Sequence, residues 1–421
     1  MHVLFLSSVF PRFGHSEAVE TVLAVLLKAA VEAGHRVSWA TVAPGNRFDE
    51  KTRDRLQGLG ISYAGDFSGS VSWGQHKRGL IKKIHTLRSA FSRRYESELP
   101  HFLNPDVTAG QLERTGADAI LLHWDSYFEY LLPWIRNTPV YAYWARPRFA
   151  SALSTIENEP FEGRLGKRIR RWLTRRILQI QATRHFTRAG YLAGIANICA
   201  LDAKSYVAAG KACRYIPNTW PDAFGDQCLL KRKEFERRSG AFDILGGLGM
   251  LNATGNYYGL SYLADKILPI LKAELLDQNW RVNICGKGFE KLHKRLQQRL
   301  GTGHVHYKGF VDDIDGEFLS NSVFLMCNNA GPYTGGYTRV VYAMSAGACL
   351  IGHKKLSDSM PEIVNGKNAL LGESPSEIGG MVIAAFRNPE MRWKIATAAR
   401  KTYQEHFAPH QVFKQINAMI M

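Results

Sequence analysis

Apolar residues along the chain come in two kinds of run, short unbroken ones and longer ones spaced by three and four. The two kinds alternate almost from end to end. Val3 to Ser8 is a near-continuous apolar run, as expected of a central parallel strand covered on both faces. After the turn Pro11 to Ser16, the residues Val19, Val22, Leu23, Leu26, Leu27 and Ala30 mark the buried stripe of a helix, and Gly34 ends it. Arg36 to Val42 is the next strand, so the chain opens on a βαβ unit whose crossover should be right-handed. Ala119 to His123 and Val140 to Trp144 read as further strands.

The pattern restarts at Phe242 to Gly247. A helix follows with Leu260, Leu263, Ile267 and Leu271 inside, then strands at Arg281 to Cys285, Val305 to Lys308 and Val323 to Cys327. The charged stretch Lys231 to Gly240 between the two halves reads as a linker. With 421 residues the chain is too long for one ordinary core, and two α/β domains accommodate it. The expected division is 1–230, 231–400 and a last helix at 401–421 packing back toward the first domain.

The stretch Gly331 to Gly352 concentrates the candidate chemistry. Gly335 and Gly336 allow close backbone approach to a ligand, and Tyr337, Thr338 and Arg339 lead into a helix with Val340, Val341, Met344 and Ala348 inside. A glycine loop that feeds a helix start offers free amides and the positive end of a dipole. With the charge of Arg339 it suits a diphosphate, although an ordinary loop and helix would look the same. Gly14 and His123 fall at carboxyl ends of first-half strands, where open α/β sheets bind ligands. His123 can be structural or functional there.

Charge changes the picture next. The net charge is +17, while hydrophobic content of 45% and charged content of 22% are those of a soluble globular protein. An acidic partner is implied. Two amphipathic basic stretches, 77–94 and 164–188, carry Lys and Arg around Ile81, Ile84, Leu87 and Phe91, and around Leu165, Ile169, Trp172 and Leu173. Each fits a solvated face or an anionic membrane surface. No nucleic-acid module is recognised, so nucleic acid is not expected as a partner. The six cysteines show no C-x-x-C spacing and read as reduced core thiols of a cytoplasmic protein with no metal site. The Asp313-Ile314-Asp315 triplet reads as a helix cap rather than a metal motif. No apolar run reaches the roughly 18 residues of a membrane span, and the short apolar start, cut by Pro11, is not expected to be a signal peptide.

These pieces in order, the Gly14 loop, Ile216-Pro217-Asn218, Phe242 to Leu248, Cys285-Gly286-Lys287-Gly288, Gly309-Phe310-Val311 and Met360 to Val364, resemble the GT-B glycosyltransferases of family 4. The resemblance implies two Rossmann-like domains facing a central cleft, with acceptor on the first and nucleotide-sugar on the second. It implies metal-independent, cofactor-free transfer with retention of configuration. The acceptor would be a glycan or lipid-linked glycan of envelope or extracellular polysaccharide synthesis, met in the cytoplasm or at the inner face of the membrane.

Carried onto this sequence, the resemblance gives catalytic roles to His123, Arg339 and Lys287. Donor contacts fall to Gly14, Gly247, Asn256, Gly286, Val311, Thr334, Gly335, Gly336, Tyr337, Thr338 and Tyr342. The family's two glutamates in this stretch correspond to Thr334 and Tyr342 here, so Tyr342 is expected to reach the ribose without a charge. The missing acids keep two other readings open, a sugar-nucleotide epimerase or hydrolase and a non-catalytic binding protein of the same fold.

Overall fold

The computed structural model describes every residue except 14–17, 42–49, 68–70, 73–100, 103, 125–126, 148, 151, 154–155, 157–164, 302 and 329–334. Gly14, Thr334 and the expected basic helix at 77–94 therefore lie outside the described residues. The chain forms two compact units, Met1–Ile216 with Phe413–Met421, and Pro217–Val412.

The first unit holds a seven-stranded sheet: β1 (His2–Ser7), β2 (Arg36–Thr41), β3 (Ile61–Asp66), β4 (Ala119–His123), β5 (Val140–Trp144), β6 (Gly194–Asn197) and β7 (Arg214–Tyr215). They lie in the order β3-β2-β1-β4-β5-β6-β7, all parallel. β1 is central and buried along its whole length, which is why its sequence is unbroken in apolar character. The second unit repeats the design with β8 (Phe242–Met250), β9 (Trp280–Lys287), β10 (Val305–Gly309), β11 (Val323–Met326), β12 (Cys349–His353) and β13 (Leu370–Gly372). Their order is β10-β9-β8-β11-β12-β13, again all parallel. The reversal of order at β8 and β11 makes the carboxyl ends of these strands a topological switch point, where such sheets take ligands.

The charged stretch expected as a linker is instead part of a helix, Cys228–Ser239, packed within the second unit. Its Arg232 is 1% exposed, and the guanidinium donates to the carbonyls of Phe318, Asn321 and Ala346. A buried arginine that finds three carbonyls can sit in a core, so charge along the sequence misrepresents this helix. The compact units divide at Ile216 and Pro217, ahead of it.

The basic helix Leu165–Arg188 carries no acidic residue. Its second half is anchored through Leu178 and His185, both buried, and His185 bridges Glu129 (2.6 Å) and the Tyr206 hydroxyl (2.5 Å). Its first half is different: Ile169 and Trp172, on the apolar face of the amphipathic stretch, are 51% and 55% exposed. Among the described residues no helix is long and apolar enough to cross a membrane, and no group of three His, Cys, Asp or Glu side chains is placed to hold a metal ion.

Candidate active site

The glycine loop meets its helix at Tyr337, whose extended backbone precedes the helix Thr338–Ser345. The first turn of any helix leaves amides without carbonyl partners, here at the carboxyl edge of the second sheet. Two asparagines fix this turn. The Asn218 amide donates to the carbonyl of Gly336 (2.9 Å) and to the Thr338 hydroxyl (2.7 Å), while its oxygen accepts from the amide of Thr219. Asn256 donates to the carbonyls of Leu248 and Met250 and accepts from Asn328 and from Arg339. Its two donors and two acceptor directions are thus all occupied.

Asn256 is therefore a hub that aims Arg339 rather than a ligand contact, which corrects the role expected of it. Gly259, on the same helix, gives Asn328 its space, since a Cβ there would lie 2.5 Å from the Asn328 oxygen. Arg339 is part-buried and pairs with no carboxylate among the described residues. Burial pushes its guanidinium down to about 10, with the Tyr337 phenol working the other way, so it remains a cation at neutral pH.

The opposite end of this helix is clamped as firmly. Arg400 donates to the carbonyl of Ser345 (2.6 Å) and pairs with Asp222 (2.6 Å), and Arg232 donates to Ala346 (3.1 Å). Cations at the carboxyl end satisfy the last carbonyls, and the positive end of the dipole lies at Thr338, beside the glycine loop.

Other expected residues hold different posts. A Cβ at Gly247 would lie 3.0 Å from both Ile284 and Leu260, so this glycine serves helix-on-sheet packing. Gly286 has φ +145, and a Cβ there would lie 1.9 Å from the carbonyl oxygen of Gly249; its close approach is to the neighbouring strand, not to a ligand. Lys287 stands exposed at the end of β9 with its ammonium 4.3 Å from the centroid of the Phe310 ring. Val311 is in the turn that follows β10, and the Asp313 side chain caps the helix Ile314–Ser320 by accepting from the Gly316 amide.

Tyr342 does not reach outward. Its side chain is 5% exposed and packs against Phe318 (4.2 Å), Trp220 (5.0 Å) and Phe224 (6.1 Å), and its hydroxyl donates to the Asp315 carboxylate. Four aromatic rings at one place form a core, and the expected ribose contact through this phenol is withdrawn.

In the first unit His123 ends β4 as expected but is wholly buried, stacked on Trp124 at 5.4 Å, with both ring nitrogens unpartnered among the described residues. Desolvation pushes its pKa down to about 3, so the ring is neutral. Trp124 itself has φ 56, the only positive value at a non-glycine residue among those described. A sealed ring cannot touch a sugar, and the direct contact expected of His123 is not met by this geometry. Sequence reasoning missed Asn218, Asn328 and Asp315. Asn218 had a signal in the Ile-Pro-Asn triplet and Asp315 in the Asp-Ile-Asp triplet, read there only as a cap; Asn328 had none until the fold brought it in.

Two Rossmann-like units of parallel strands, the second carrying a glycine loop at a helix start on its carboxyl edge, define the GT-B class of fold. Residues 243–388 match the family described as glycosyl transferases group 1. Solved structures agree in fold across the chain. HepE of Anabaena in complex with UDP-glucose matches with TM-score 0.61 and 13% identity, covering 100% of this chain and 99% of that one. A TarM variant of S. aureus, in complex with fondaparinux, alpha-GlcNAc-glycerol and UDP, gives 0.62 and 9%, with coverage of 100% and 99%. WaaG, a glycosyltransferase involved in lipopolysaccharide biosynthesis, gives 0.59 and 12%, again with coverage of 100% and 99%. No curated protein matches the chain in sequence. The resemblance carried by the sequence motifs to GT-B glycosyltransferases of the family 4 kind is borne out by the family match and by the fold.

Proposed function

We propose that this protein is a retaining, metal-independent glycosyltransferase that moves a sugar from a nucleoside diphosphate to a glycan or lipid-linked glycan. The observation that carries the proposal is the helix start at Gly335 to Arg339, with its loop pinned by Asn218 and its one cation aimed by Asn256. As the bond from C1 of the sugar to the diphosphate breaks, its electron pair passes to a phosphate oxygen. Stabilising that new charge is the largest single demand of the reaction. The amides of Gly335, Gly336, Tyr337 and Thr338 and the Arg339 guanidinium meet it, and the exposed Lys287 ammonium adds a second cation at the same sheet edge. The acceptor hydroxyl bonds to C1 from the face the diphosphate leaves, and its proton goes to the departing phosphate. HepE in complex with UDP-glucose and TarM in complex with UDP support UDP-linked sugars as first candidates.

The acceptor reading draws on the basic helix, where Ile169 and Trp172 stand exposed among Arg168, Arg170, Arg175 and Arg176. Apolar side chains ringed by arginine suit the headgroup region of an anionic bilayer, where a lipid-linked acceptor would be met and where a cytoplasmic enzyme would work as a peripheral one.

A thermal-shift series with UDP-, GDP- and dTDP-sugars tests the donor assignment, since a ligand bound only by the folded state raises the midpoint by mass action. One base series should shift the midpoint and the others should not. If none does, sugar transfer from a nucleotide is the wrong reaction. Release of free nucleotide with no acceptor-linked product would favour the hydrolase or epimerase alternative.

A further inference from the structure

The amino edge of the second sheet, opposite the edge that carries the glycine loop, holds a cavity of about 500 Å³, a volume within the range of small-molecule sites. Phe242 at the first position of β8 and Ser322 just before β11 line it from the sheet. The helix Cys228–Ser239 contributes Lys233, Glu236 and Arg237, and the helix Pro389–Thr402 contributes Arg392 and Trp393.

Charge in this lining does not balance. Arg392 is 9% exposed, yet its guanidinium donates only to the carbonyl of Ala385 (2.7 Å) and to the Glu236 carboxylate (3.3 Å), and its Nε has no partner among the described residues. Glu236 is itself shared. Burial pushes the Arg232 guanidinium down, and Glu236 is the carboxylate that opposes it. One carboxylate therefore answers two buried guanidiniums, while Lys233 and Arg237, both exposed, add charge of the same sign to the lining. Buried charge without its full complement of counter-charge is costly, and an anion in the cavity would relieve it. The remaining lining is flat and apolar. Phe242 meets Phe386 edge-on at 5.2 Å, the Arg392 guanidinium lies 5.4 Å from the Phe242 ring, and the Lys233 ammonium stands 5.2 Å from the Trp393 ring.

We propose that this cavity binds a small phosphate monoester with a flat apolar body, its anion held among Lys233, Arg237 and Arg392 and its body against Trp393. A phosphate monoester brings about 1.5 to 2 negative charges where a carboxylate brings one, which is nearer to what the lining lacks. The site is separate from the glycine loop and does not depend on the transfer reading.

Isothermal titration of the full chain with phenyl phosphate, inorganic phosphate and benzoate tests it. Phenyl phosphate should bind about tenfold tighter than inorganic phosphate, through its ring, and about tenfold tighter than benzoate, through its extra charge. Lys233→Ala combined with Arg237→Ala, both at exposed positions, should weaken phenyl phosphate by about tenfold or more. Trp393→Leu should erase most of its advantage over inorganic phosphate. Saturating UDP, and separately Arg339→Ala, should leave its affinity within about twofold, as expected of distant sites. The proposal is overturned if phenyl phosphate does not bind, if benzoate equals it, or if the double variant holds it within about twofold. Displacement by UDP, or loss of binding in Arg339→Ala, would place the anion on the glycine loop and overturn it as well.

Discussion

Replacing Arg339 by alanine should slow sugar transfer by about 100-fold or more, because charge stabilisation lost at a departing phosphate commonly costs that much. A loss under about threefold in steady-state rates would remove Arg339 from the mechanism. Its guanidinium titrates near 10, so the rate should hold through neutral pH and fall as the pH rises through that value; in Arg339→Lys the fall should move to lower pH. His123 gives a prediction of opposite direction. Its folded pKa of about 3 is below the ordinary histidine value, so the unfolded chain takes up a proton first as the pH falls below about 6.5. Stability should therefore drop on acidification by about 1.4 kcal/mol per pH unit from this group, and thermal melts of His123→Phe between pH 7 and 5 should show a shallower decline. Residues were only partly legible in the sequence. Arg339 and the glycines before it announce themselves by local pattern, whereas Asp315 meets Tyr342 across 27 residues and Asn218 meets Thr338 across 120. Partners so distant along the chain are joined only by the fold.

The glycine-loop helix has eight residues, too short to persist alone, and it owes its place to what holds its two ends. Arg400→Ala would leave the Asp222 charge without its cation and the Ser345 carbonyl with only the Cys228 thiol, and should cost about 3 kcal/mol, read as a lower denaturation midpoint at unchanged slope. Asn218→Ala should act differently: the fold survives, but the loop at Gly336 and Thr338 is released and the donor KM rises by about tenfold. Elements themselves were well encoded. The apolar runs at β1 and β4 became buried parallel strands because both faces of such a strand are covered. The failure at Cys228–Ser239 has the same logic reversed. Most of its charges are exposed, and a pattern read by charge alone misses the one arginine that turns inward.

Over the whole molecule the net charge of +17 and the exposed Ile169 and Trp172 predict co-flotation with vesicles that contain phosphatidylglycerol and not with neutral ones. Raising salt should weaken that binding, and Trp172→Ala combined with Ile169→Ala should weaken it further without altering nucleotide affinity. Flotation equal on neutral and anionic vesicles would refute the electrostatic account. Chelation of divalent ions should leave turnover unchanged if Arg339 and Lys287 carry the leaving charge.

The last helix, Pro409–Ile420, has a further consequence for how the chain is made. From Phe413 onward it counts with the first unit, where Asn417 bonds to His35 (2.9 Å), Phe413 meets the same ring edge-on, and Phe413, Ile416 and Ile420 are buried. A ribosome delivers these residues after both the rest of the first unit and residues 217–412. The half of the protein translated first is thus the half completed last, and a fragment stopped at residue 216 should emerge with a bare apolar groove and a strong tendency to aggregate, relieved by adding the missing segment as a separate peptide.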